Sequence, residues 1–399
     1  MASKRATSIP RSPFYKVTEW MQEHRDEVLD KYDRYIVLRL GDPDFDTPVY
    51  VKDALIEAVM EVGTYTHYTG SEAGLSELLD VLVMKLMNDN NIEAKRSNLV
   101  VTCGGQAGIY ASLMALLNPG DEVLVPCPIY PPYMTDTVLA GGKPVYIPLR
   151  EENDFSLLPD DVSEALSPRT KALMLCTPNN PTGGVFKKRD LEGIAELAQD
   201  HDFIVIADEA YEKIIYDGHK HHSVASFPNM LDHSLTVFSF SKTYAMTGWR
   251  VGYVVGNEDL IKVVRKIHHS MNINVTTFVQ KAVVKALTGP QGHLKEWLKE
   301  YDRRRREIIR ALNKVDGIVC PAPKGAYYAF PNVKEYAERV EGTEESPSLR
   351  VVKYLIREAG VVTVPGGGFG PYGEGYIRIA FCHPFEHIKE AMRRIQELD

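Results

Sequence analysis

The stretch SFSKTYAMTGWRVGY, residues 239–253, places a lysine directly after the predicted end of a strand. Ser239 and Ser241 lie beside this lysine, Lys242. Arg250 follows eight residues later. A partly desolvated amine near other cations has a lowered pKa and can form a Schiff base with an aldehyde, while the serines and the arginine would bind a phosphate. Serine and lysine are common on protein surfaces, so the stretch indicates such a site only if further motifs support it.

Short apolar runs alternate with helical patterns on both sides of this stretch. The alternation predicts the α/β fold class, with a mostly parallel central sheet covered on both faces. Between two of the runs, segment 189–200 places Leu191, Ile194 and Leu197 on one helical face, as a crossover helix requires. The runs are LVVT at 99, EVLV at 122, PVYI at 144, ALMLC at 172, FIVIA at 203, LTVFS at 235 and VGYVV at 251.

A different pattern begins after Pro290, where a long charged helix is predicted over residues 293–313. We expect its run Arg303–Arg306 to lie on a solvated helix face rather than to form a binding patch. The apolar stripe of this helix consists of Trp297, Leu298, Tyr301, Ile308 and Leu312.

The remainder of the chain predicts a smaller α+β domain. A strand-like run, GAYYAF at 325, and a final strand, YIRIAF at 376, enclose a helix from Ser348 to Glu358 that Gly360 should end. The predicted division is residues 1–46 as an N-terminal arm and part of the small domain, 47–290 as the large domain, and 291–399 as the small C-terminal domain.

The bulk composition excludes several classes of protein. The 399 residues are 44% hydrophobic and 25% charged, which allows a large core and favours two domains. A net charge of −8 with scattered lysine and arginine offers no electrostatic footprint for nucleic acid or anionic lipid. The sequence contains no run of about 18 or more apolar residues. We therefore expect neither nucleic-acid binding nor membrane insertion.

The cysteines and the first residues indicate a cytoplasmic protein. Five widely spaced cysteines, an odd number without metal-ligand spacing, predict reduced thiols in the core. The opening segment MASKRATSIPRSPFYK is positively charged but lacks the apolar run of a secretory signal. A short organelle-targeting leader is the alternative.

Two motifs follow predicted strands and carry polar side chains. TPNNPTGG at 177–184 forces a tight turn in which Asn180 can present its amide to a cleft, although such a segment is often a turn only. ADEAYEKIIYDG at 207–218 places Asp208 at a strand end and Tyr211 three residues later. A buried carboxylate behind an aromatic nitrogen would keep that nitrogen protonated. The alternative is an aspartate that caps a following helix.

Two further motifs precede predicted helices. VTCGGQAG at 101–108 runs a strand through glycines into a helix whose first N–H groups, near Gly105 and Gln106, suit a phosphate. Tyr130 in PCPIYPPY is placed to stack on a flat ring, although core packing is the commoner role.

Together these motifs resemble the fold-type I, class I/II aminotransferases that use pyridoxal 5′-phosphate (PLP), in their prokaryotic aspartate-aminotransferase-like branch. The resemblance extends from Leu38 to the C-terminus. It implies a homodimer with shared active sites, in which Tyr68 of THYTGSEAG reaches the phosphate of the partner subunit's site. The implied roles within one subunit are Lys242 as the Schiff-base lysine, Asp208 at the ring nitrogen, Tyr211 and Asn180 at the ring oxygen O3′, Tyr130 stacked on the ring, and Gly105, Gln106, Ser239, Ser241 and Arg250 at the phosphate.

The resemblance also implies a substrate side. In LRLGDPDFDTP at 38–48, Gly41 lets the backbone approach the substrate, and Tyr130 and Asn180 also face it. Arg378 in YIRIAF is expected to bind the substrate α-carboxylate through its planar, bidentate guanidinium. A structural ion pair is the alternative for this arginine.

The implied reaction transfers an amino group from an L-amino acid to a 2-oxo acid, pyruvate or 2-oxoglutarate, by a ping-pong mechanism. A C–S β-lyase on the same scaffold is the alternative enzyme. A PLP-binding transcription regulator would need a DNA-binding segment before residue 38, and a purely structural protein would not need this set of polar residues. No arginine lies between Arg265 and Arg303, so we expect a broad donor range rather than aspartate specificity. The alternative is that Gln106 or Arg39 binds an acidic side chain in place of such an arginine. The histidines of DGHKHHS at 217–223 lack carboxylates or cysteines at ligand spacing, so we expect no metal site.

Overall fold

The computed structural model describes residues 7, 9, 13–342 and 346–398. The first part of the predicted N-terminal arm, residues 1–6, therefore lies outside the described residues. The strands are β1 (Ile36–Val37), β2 (Leu99–Thr102), β3 (Glu122–Cys127), β4 (Lys143–Pro148), β5 (Thr170–Cys176), β6 (Ile204–Asp208), β7 (Ser234–Ser239), β8 (Gly252–Gly256), β9 (Tyr328–Ala329), β10 (Val361–Val362), β11 (Val364–Pro365) and β12 (Ile377–Ala380).

Helices connect many of these strands, singly or in groups of two or three. They are α1 (Pro13–Glu23), α2 (Arg25–Lys31), α3 (Val49–Met60), α4 (Ser76–Asn90), α5 (Gly105–Leu116), α6 (Pro132–Leu139), α7 (Pro159–Ala165), α8 (Lys188–His201), α9 (Phe240–Thr243), α10 (Glu258–Asn272), α11 (Thr277–Thr288), α12 (Gly292–Leu312), α13 (Lys334–Arg339), α14 (Pro347–Ala359) and α15 (Phe385–Gln396).

Seven strands form the central sheet in the order β2-β8-β7-β6-β5-β3-β4. All neighbours are parallel except β8, which runs antiparallel to β2 and β7. Each of the seven apolar runs lies in one of these strands, so the predicted, mostly parallel α/β sheet is confirmed.

Helices cover both faces of the sheet, because successive side chains of a strand point to opposite faces. In β3, Leu124 packs into the core cluster that contains Leu191 and Ile194 of α8. The neighbouring Val125 packs into the cluster that contains Ile109 of α5. The predicted crossover helix is therefore confirmed, with Leu191 and Ile194 buried.

A second unit contains the C-terminal strands. β12 pairs antiparallel with both β11 and β9, while β1 pairs parallel with β10. Helices α12, α14 and α15 contribute to the same apolar core as these strands. Strand β1 therefore packs with the C-terminal part of the chain. The boundaries after residues 46 and 290 stay predictions.

The strand predicted at 325 is shorter than expected. Only Tyr328–Ala329 forms a strand, because Ala326 adopts a left-handed conformation with φ of 55°, which extended backbone cannot accommodate. The helix predicted after it is confirmed. It spans Pro347–Ala359 and ends at Gly360, whose φ is 64°.

The expectation of a solvated arginine run on α12 is wrong for two of its four residues. Arg304 and Arg305 are only 4% and 3% exposed. Arg304 forms a bidentate ion pair with Asp44, with N–O distances of 2.7 and 3.0 Å. Arg305 does the same with Asp217, at 2.7 and 2.8 Å. Charge patterning along one helix cannot reveal carboxylates that distant segments bring to it.

Candidate active site

A cavity of about 900 Å³ lies at the carboxyl ends of the parallel strands. Parallel strands of a doubly wound sheet end at the same edge, so residues that follow different strands meet there. Twelve of the thirteen residues proposed from the sequence line this cavity. They are Gly41, Gly105, Gln106, Tyr130, Asn180, Asp208, Tyr211, Ser239, Ser241, Lys242, Arg250 and Arg378.

Lys242 lies in the short helix α9, directly after β7, and its amine is buried in the cavity wall. The Nζ atom donates a hydrogen bond to the carbonyl oxygen of Gly41, at 2.6 Å. It also lies 5.9 Å from the ring centroid of Tyr211 and 5.9 Å from that of Tyr327. Burial lowers the pKa of Lys242 to about 8, because the charged ammonium loses its hydration. The unprotonated amine is still the minor form at pH 7, but it is far more abundant than for an ordinary lysine.

One end of the cavity is built to receive an anion. Helix α5 begins at Gly105 and directs its first N–H groups toward this end, where the helix dipole is positive. Gly104, with φ of 79°, lies against Arg250, and a Cβ atom there would be 2.7 Å from the guanidinium Nη2. The hydroxyl oxygen of Ser239 accepts a hydrogen bond from the backbone N–H of Ser241, at 3.2 Å. This end therefore combines a guanidinium, hydroxyls and a close backbone approach.

The amide of Gln106, at the same end, is held by a carboxyl group. Its Nε2 donates a hydrogen bond to Asp136 of α6. Burial raises the pKa of Asp136 to about 7, an effect that the bond from Gln106 partly offsets. Asp136 was not identified from the sequence, because no motif relates it to Gln106.

The other end of the cavity carries a buried carboxylate, Asp208, at the end of β6. Tyr133 donates its phenolic O–H to one carboxylate oxygen, and the backbone N–H of Ala210 donates to the other at 2.9 Å. Burial raises the pKa of Asp208, while the two hydrogen bonds and the charge of Lys242 lower it. The residues after Asp208 form turns, so the alternative of an aspartate that caps a helix does not apply.

Aromatic side chains form the walls between the two ends. Tyr130 packs edge-on against Tyr133, with ring centroids 5.4 Å apart. Tyr211 is buried, and its hydroxyl lies 2.8 Å from that of Tyr328. Burial raises the pKa of both Tyr211 and Tyr328 above the ordinary value, so both phenols stay neutral.

Arg378 lies on β12 and its guanidinium contacts two aromatic rings. The guanidinium carbon lies 4.5 Å from the ring centroid of Tyr328 and 4.9 Å from that of Phe369. Nη1 donates to Oδ1 of Asn180 at 2.9 Å, and Nη2 donates to the carbonyl oxygen of Arg39 at 2.5 Å. The rings and hydrogen bonds fix the plane of the guanidinium, which is the condition for bidentate binding of a carboxylate.

Gly41 brings the backbone close to the reacting amine. A Cβ atom at this position would overlap the hydroxyl of Tyr328. Its carbonyl oxygen accepts hydrogen bonds from Lys242 and from the Tyr327 hydroxyl, the latter at 3.0 Å. A side chain at residue 41 would therefore displace Tyr328.

Tyr68 does not line the cavity of its own chain. Its side chain is 76% exposed, on the loop between α3 and α4. Its role toward a partner subunit stays a prediction.

The donor set fits a flat cofactor with a phosphate at one end. Arg250, the hydroxyls and the start of α5 match a phosphate, Asp208 matches a protonated ring nitrogen at the far end, and the amine of Lys242 lies between them. A cavity of this size also leaves room for a small carboxylate substrate beside Arg378.

Several residues of the site were missed from the sequence. Tyr133 and Tyr328 contact predicted site residues, and Tyr327 contacts Gly41. The sequence did contain a signal for them. Tyr133 lies in IYPPY, three residues after Tyr130, and Tyr327 and Tyr328 lie in GAYYAF, one of the two predicted strands of the small domain, the other of which contains Arg378. Arg39, considered from the sequence as an alternative contact for an acidic side chain, does line the cavity.

The histidine loop has a structural role. His221 pairs through Nε2 with the buried carboxylate of Glu209, at 2.8 Å. Among residues 13–342 and 346–398, no three side chains of metal-ligating type cluster closely enough to hold a metal ion. Over the same residues, no helix is both long enough and apolar enough to span a bilayer.

Comparison with known proteins agrees with this geometry. Residues 33–395 match the family described as aminotransferase class I and II. The chain is 42% identical to an aspartate aminotransferase of Pyrococcus abyssi over 91% of both chains, and 39% identical to an aromatic-amino-acid aminotransferase of Thermococcus litoralis, also over 91% of both. The solved structure of an aromatic aminotransferase from Pyrococcus horikoshii superposes with a TM-score of 0.87 at 38% identity, covering 94% of this chain and 98% of that one.

Proposed function

The chain belongs to the class I and II aminotransferases and has the α/β fold type I of PLP-dependent transferases, and we propose that it binds PLP on Lys242 and transfers amino groups from a range of L-amino acids to a 2-oxo acid. The observation that carries the proposal is a buried amine with a pKa of about 8 between an anion-binding end and a buried carboxylate. This arrangement matches the chemistry of PLP and has no evident use in a structural protein.

The residues that would hold PLP follow from the cavity. Arg250, Ser239, Ser241 and the N–H groups that open α5 would bind the phosphate. Asp208 would pair with the ring nitrogen, and its own bond from Tyr133 fixes its orientation. The remaining ring contacts are proposed from their place in the cavity wall, and they are Tyr130, Tyr211 and Asn180.

Bound PLP supplies an aldehyde for the amine and a ring that accepts the electrons of a broken α-carbon bond. The protein supplies the proton transfer and the orientation. Arg378 would bind the α-carboxylate in the cavity that Lys242 also lines, which would keep the substrate within reach of the amine. The Nζ atom of Lys242 then accepts the α-proton of the substrate as general base and later returns it as general acid. Burial helps both steps, because an amine with a pKa of about 8 exchanges protons readily near neutral pH.

A homodimer with shared sites is part of the proposal. Helix α3 and the loop after it expose a run of apolar side chains, which soluble monomers rarely do. Val62 is 96% exposed and Tyr68, the proposed partner contact, belongs to the same surface loop. The other exposed apolar side chains here are Val49, Ile56, Val59 and Met60. A second copy that covers this surface would also bring Tyr68 to its neighbour's phosphate site.

The proposed donor range is broad. The relatives act, by name, on aspartate and on aromatic amino acids, and the chain has no arginine between Arg265 and Arg303 that would select an acidic side chain. Side chains that differ by one or two methylenes change transition-state binding by only about 1 to 3 kcal/mol.

The five cysteines are unpaired, which supports the reducing cytoplasm as the proposed location.

Product analysis with a donor panel tests the activity. Purified protein with PLP is given aspartate, alanine, methionine or an aromatic amino acid, with pyruvate or 2-oxoglutarate as acceptor. The expected products are the new amino acid and the donor's oxo acid, with parallel lines in ping-pong kinetics. Pyruvate, ammonia and a thiol from a cysteine conjugate, without amino transfer, would indicate a β-lyase instead. An aspartate preference of roughly a thousandfold, about 4 kcal/mol, would contradict the broad range.

Hybrid dimers test the shared site. Inactive Lys242→Ala and Tyr68→Phe subunits should regain part of the activity when mixed, because one site of the hybrid then has both residues intact. Lys242→Ala mixed with Arg378→Ala should regain none if both residues serve the same subunit's site. The reverse pattern would contradict the proposed sharing.

A further inference from the structure

Tyr328 links two parts of the cavity that the proposed roles leave unconnected. It lies on β9, opposite Ala380 of β12, and is 2% exposed. Its hydroxyl lies 2.8 Å from the hydroxyl of Tyr211, and its ring lies under the guanidinium of Arg378. One side chain thus contacts the proposed cofactor side through its oxygen and the proposed substrate side through its ring.

In the hydrogen bond between the two phenols, either hydroxyl can be the donor, and each has only one proton. Both stay neutral because burial raises their pKa values, so each oxygen carries one proton. Within residues 13–342 and 346–398, neither phenol oxygen has another hydrogen-bonding partner. If the Tyr328 hydroxyl donates to the Tyr211 oxygen, the Tyr211 proton is left to point into the cavity. The reverse direction would leave Tyr211 without a proton to donate there.

The ring of Tyr328 has a separate effect on Arg378. A guanidinium above an aromatic face is attracted by the ring quadrupole, and the contact restricts its plane. The ring centroid of Phe369 lies 4.9 Å from the same guanidinium carbon, so two aromatic rings contact this group. Removing the hydroxyl of Tyr328 leaves this stacking intact, which allows the two effects to be separated.

We propose that Tyr328 is a positioning residue with two roles: its hydroxyl directs the proton of Tyr211 toward the ring oxygen of PLP, and its ring orients Arg378 for the substrate carboxylate. The inference rests on the proposed function, since it assumes that PLP occupies the cavity. A hydroxyl that receives a hydrogen bond becomes a stronger donor, because chains of hydrogen bonds polarise one another. The pair therefore favours a negative charge on the ring oxygen of the cofactor more than Tyr211 does alone.

The visible absorbance of the holoenzyme, titrated with pH, reports this charge. The quantity compared between variants is the pH at the midpoint of this absorbance change. The titratable groups that face the two phenols are Asp208, Cys176, Lys242, Arg378, Cys382, Tyr130 and Tyr327, whose ring centroid lies 5.3 Å from that of Tyr211 and 5.0 Å from that of Tyr328. They remain unchanged in a Tyr328→Phe protein, so a change in the midpoint reports the lost hydroxyl. Because the lost donor had favoured the negatively charged form, we expect the midpoint to rise by roughly half a pH unit in Tyr328→Phe.

A double-variant comparison shows whether the effect passes through Tyr211. Tyr211→Phe should raise the midpoint further than Tyr328→Phe does, and adding Tyr328→Phe to Tyr211→Phe should change nothing more. Tyr216→Phe is the matched control, since Tyr216 is equally buried and its hydroxyl donates to the carbonyl oxygen of Ala326 at 2.7 Å. It should lower thermal stability similarly and leave the midpoint in place.

The role of the ring appears in the substrate kinetics. Tyr328→Phe should lower kcat with KM within about twofold of wild type, whereas Tyr328→Leu should also raise KM for the amino acid about tenfold, the order expected for a lost cation–π contact. If Tyr328→Leu does not fold, the Tyr328→Phe titration still decides the role of the hydroxyl. Equal KM values in the two variants would overturn the role of the ring.

The outcomes separate this inference from the proposed function. A wild-type protein that binds no PLP, measured by absorbance and by mass after borohydride reduction, overturns the proposed function and the inference with it. A normal wild-type titration that Tyr328→Phe leaves unmoved overturns the inference alone. A Tyr328→Phe shift of equal size in the Tyr211→Phe background also overturns it, because the effect would then bypass Tyr211.

Discussion

Arg304, Arg305 and Arg378 are buried arginines in the C-terminal half of the molecule, and the first two have different kinds of partner from the third. Arg304 and Arg305 of α12 bind carboxylates, Asp44 and Asp217, through paired hydrogen bonds. Arg378 of β12 donates to an amide oxygen and a backbone carbonyl, and its guanidinium contacts two aromatic rings. A carboxylate compensates the arginine charge, whereas a neutral oxygen only orients it.

The difference separates an arginine that holds the fold from one that prepares a binding site. The ion pairs of α12 join this helix to the segment before α3 and to the loop after Tyr211, so they connect distant parts of the chain. The contacts of Arg378 instead fix the plane of a guanidinium that lines the cavity. The partners, rather than the burial, indicate the role, and three substitutions can test this distinction.

The largest expected effect is the loss of a structural ion pair. Arg304→Met removes one partner of a buried pair and leaves Asp44 uncompensated, which should lower the free energy of unfolding by about 3 to 5 kcal/mol. Arg306→Met is the matched control on the same helix, because Arg306 is exposed and its pair with Asp302 should contribute less than about 1 kcal/mol. Urea unfolding measures both. Equal losses in the two variants would show that burial of the pair has no special importance.

The next effect should appear in activity rather than stability. Arg378→Lys keeps the charge but loses the planar, bidentate contact. The transition state should therefore lose about 2 to 5 kcal/mol of stabilisation, seen as a lower kcat/KM, while PLP remains bound. Steady-state kinetics and the absorbance of bound PLP measure the two properties. A loss of unfolding free energy as large as in Arg304→Met, with unchanged kcat/KM, would place Arg378 among the structural arginines.

The smallest effect concerns Lys242, another buried cation, which donates to the neutral carbonyl of Gly41. Its pKa is lowered to about 8 in the folded protein from 10.5, so between these values the unfolded chain binds more protons and stability rises with pH. Below pH 8, Lys242 is charged in the folded protein, so the full free-energy cost of burying this charge reduces the stability there. The Lys242→Met apoprotein should therefore be more stable than wild type at pH 7, by at most about 3 kcal/mol, with a gap that narrows toward pH 10. A gap that stays constant with pH would show that the pKa is not lowered.

Much of the site could be predicted because its residues lie at strand ends. Asp208, Ser239 and Asn180 follow apolar runs that the alternation had assigned to parallel strands, and parallel strands end at one edge of the sheet. Side chains that reach the same cavity from other segments could not be predicted in this way. Tyr133 and Asp136 act through single hydrogen bonds to Asp208 and Gln106, and no spacing along the chain encodes such a bond.

The sequence by itself determined the order of the elements, the parallel sheet and the residues placed at its strand ends, because apolar periodicity and turn residues act within a few positions of one another. Only the tertiary structure decided which charges are compensated. Arg304 meets Asp44 across 260 positions, and Arg378 meets Asn180 across 198. The run Arg303–Arg306 looks uniform in sequence, yet two of its members are buried and two are exposed. The energy of a charge depends on the solvent and the partners around it in space, and distant segments supply both.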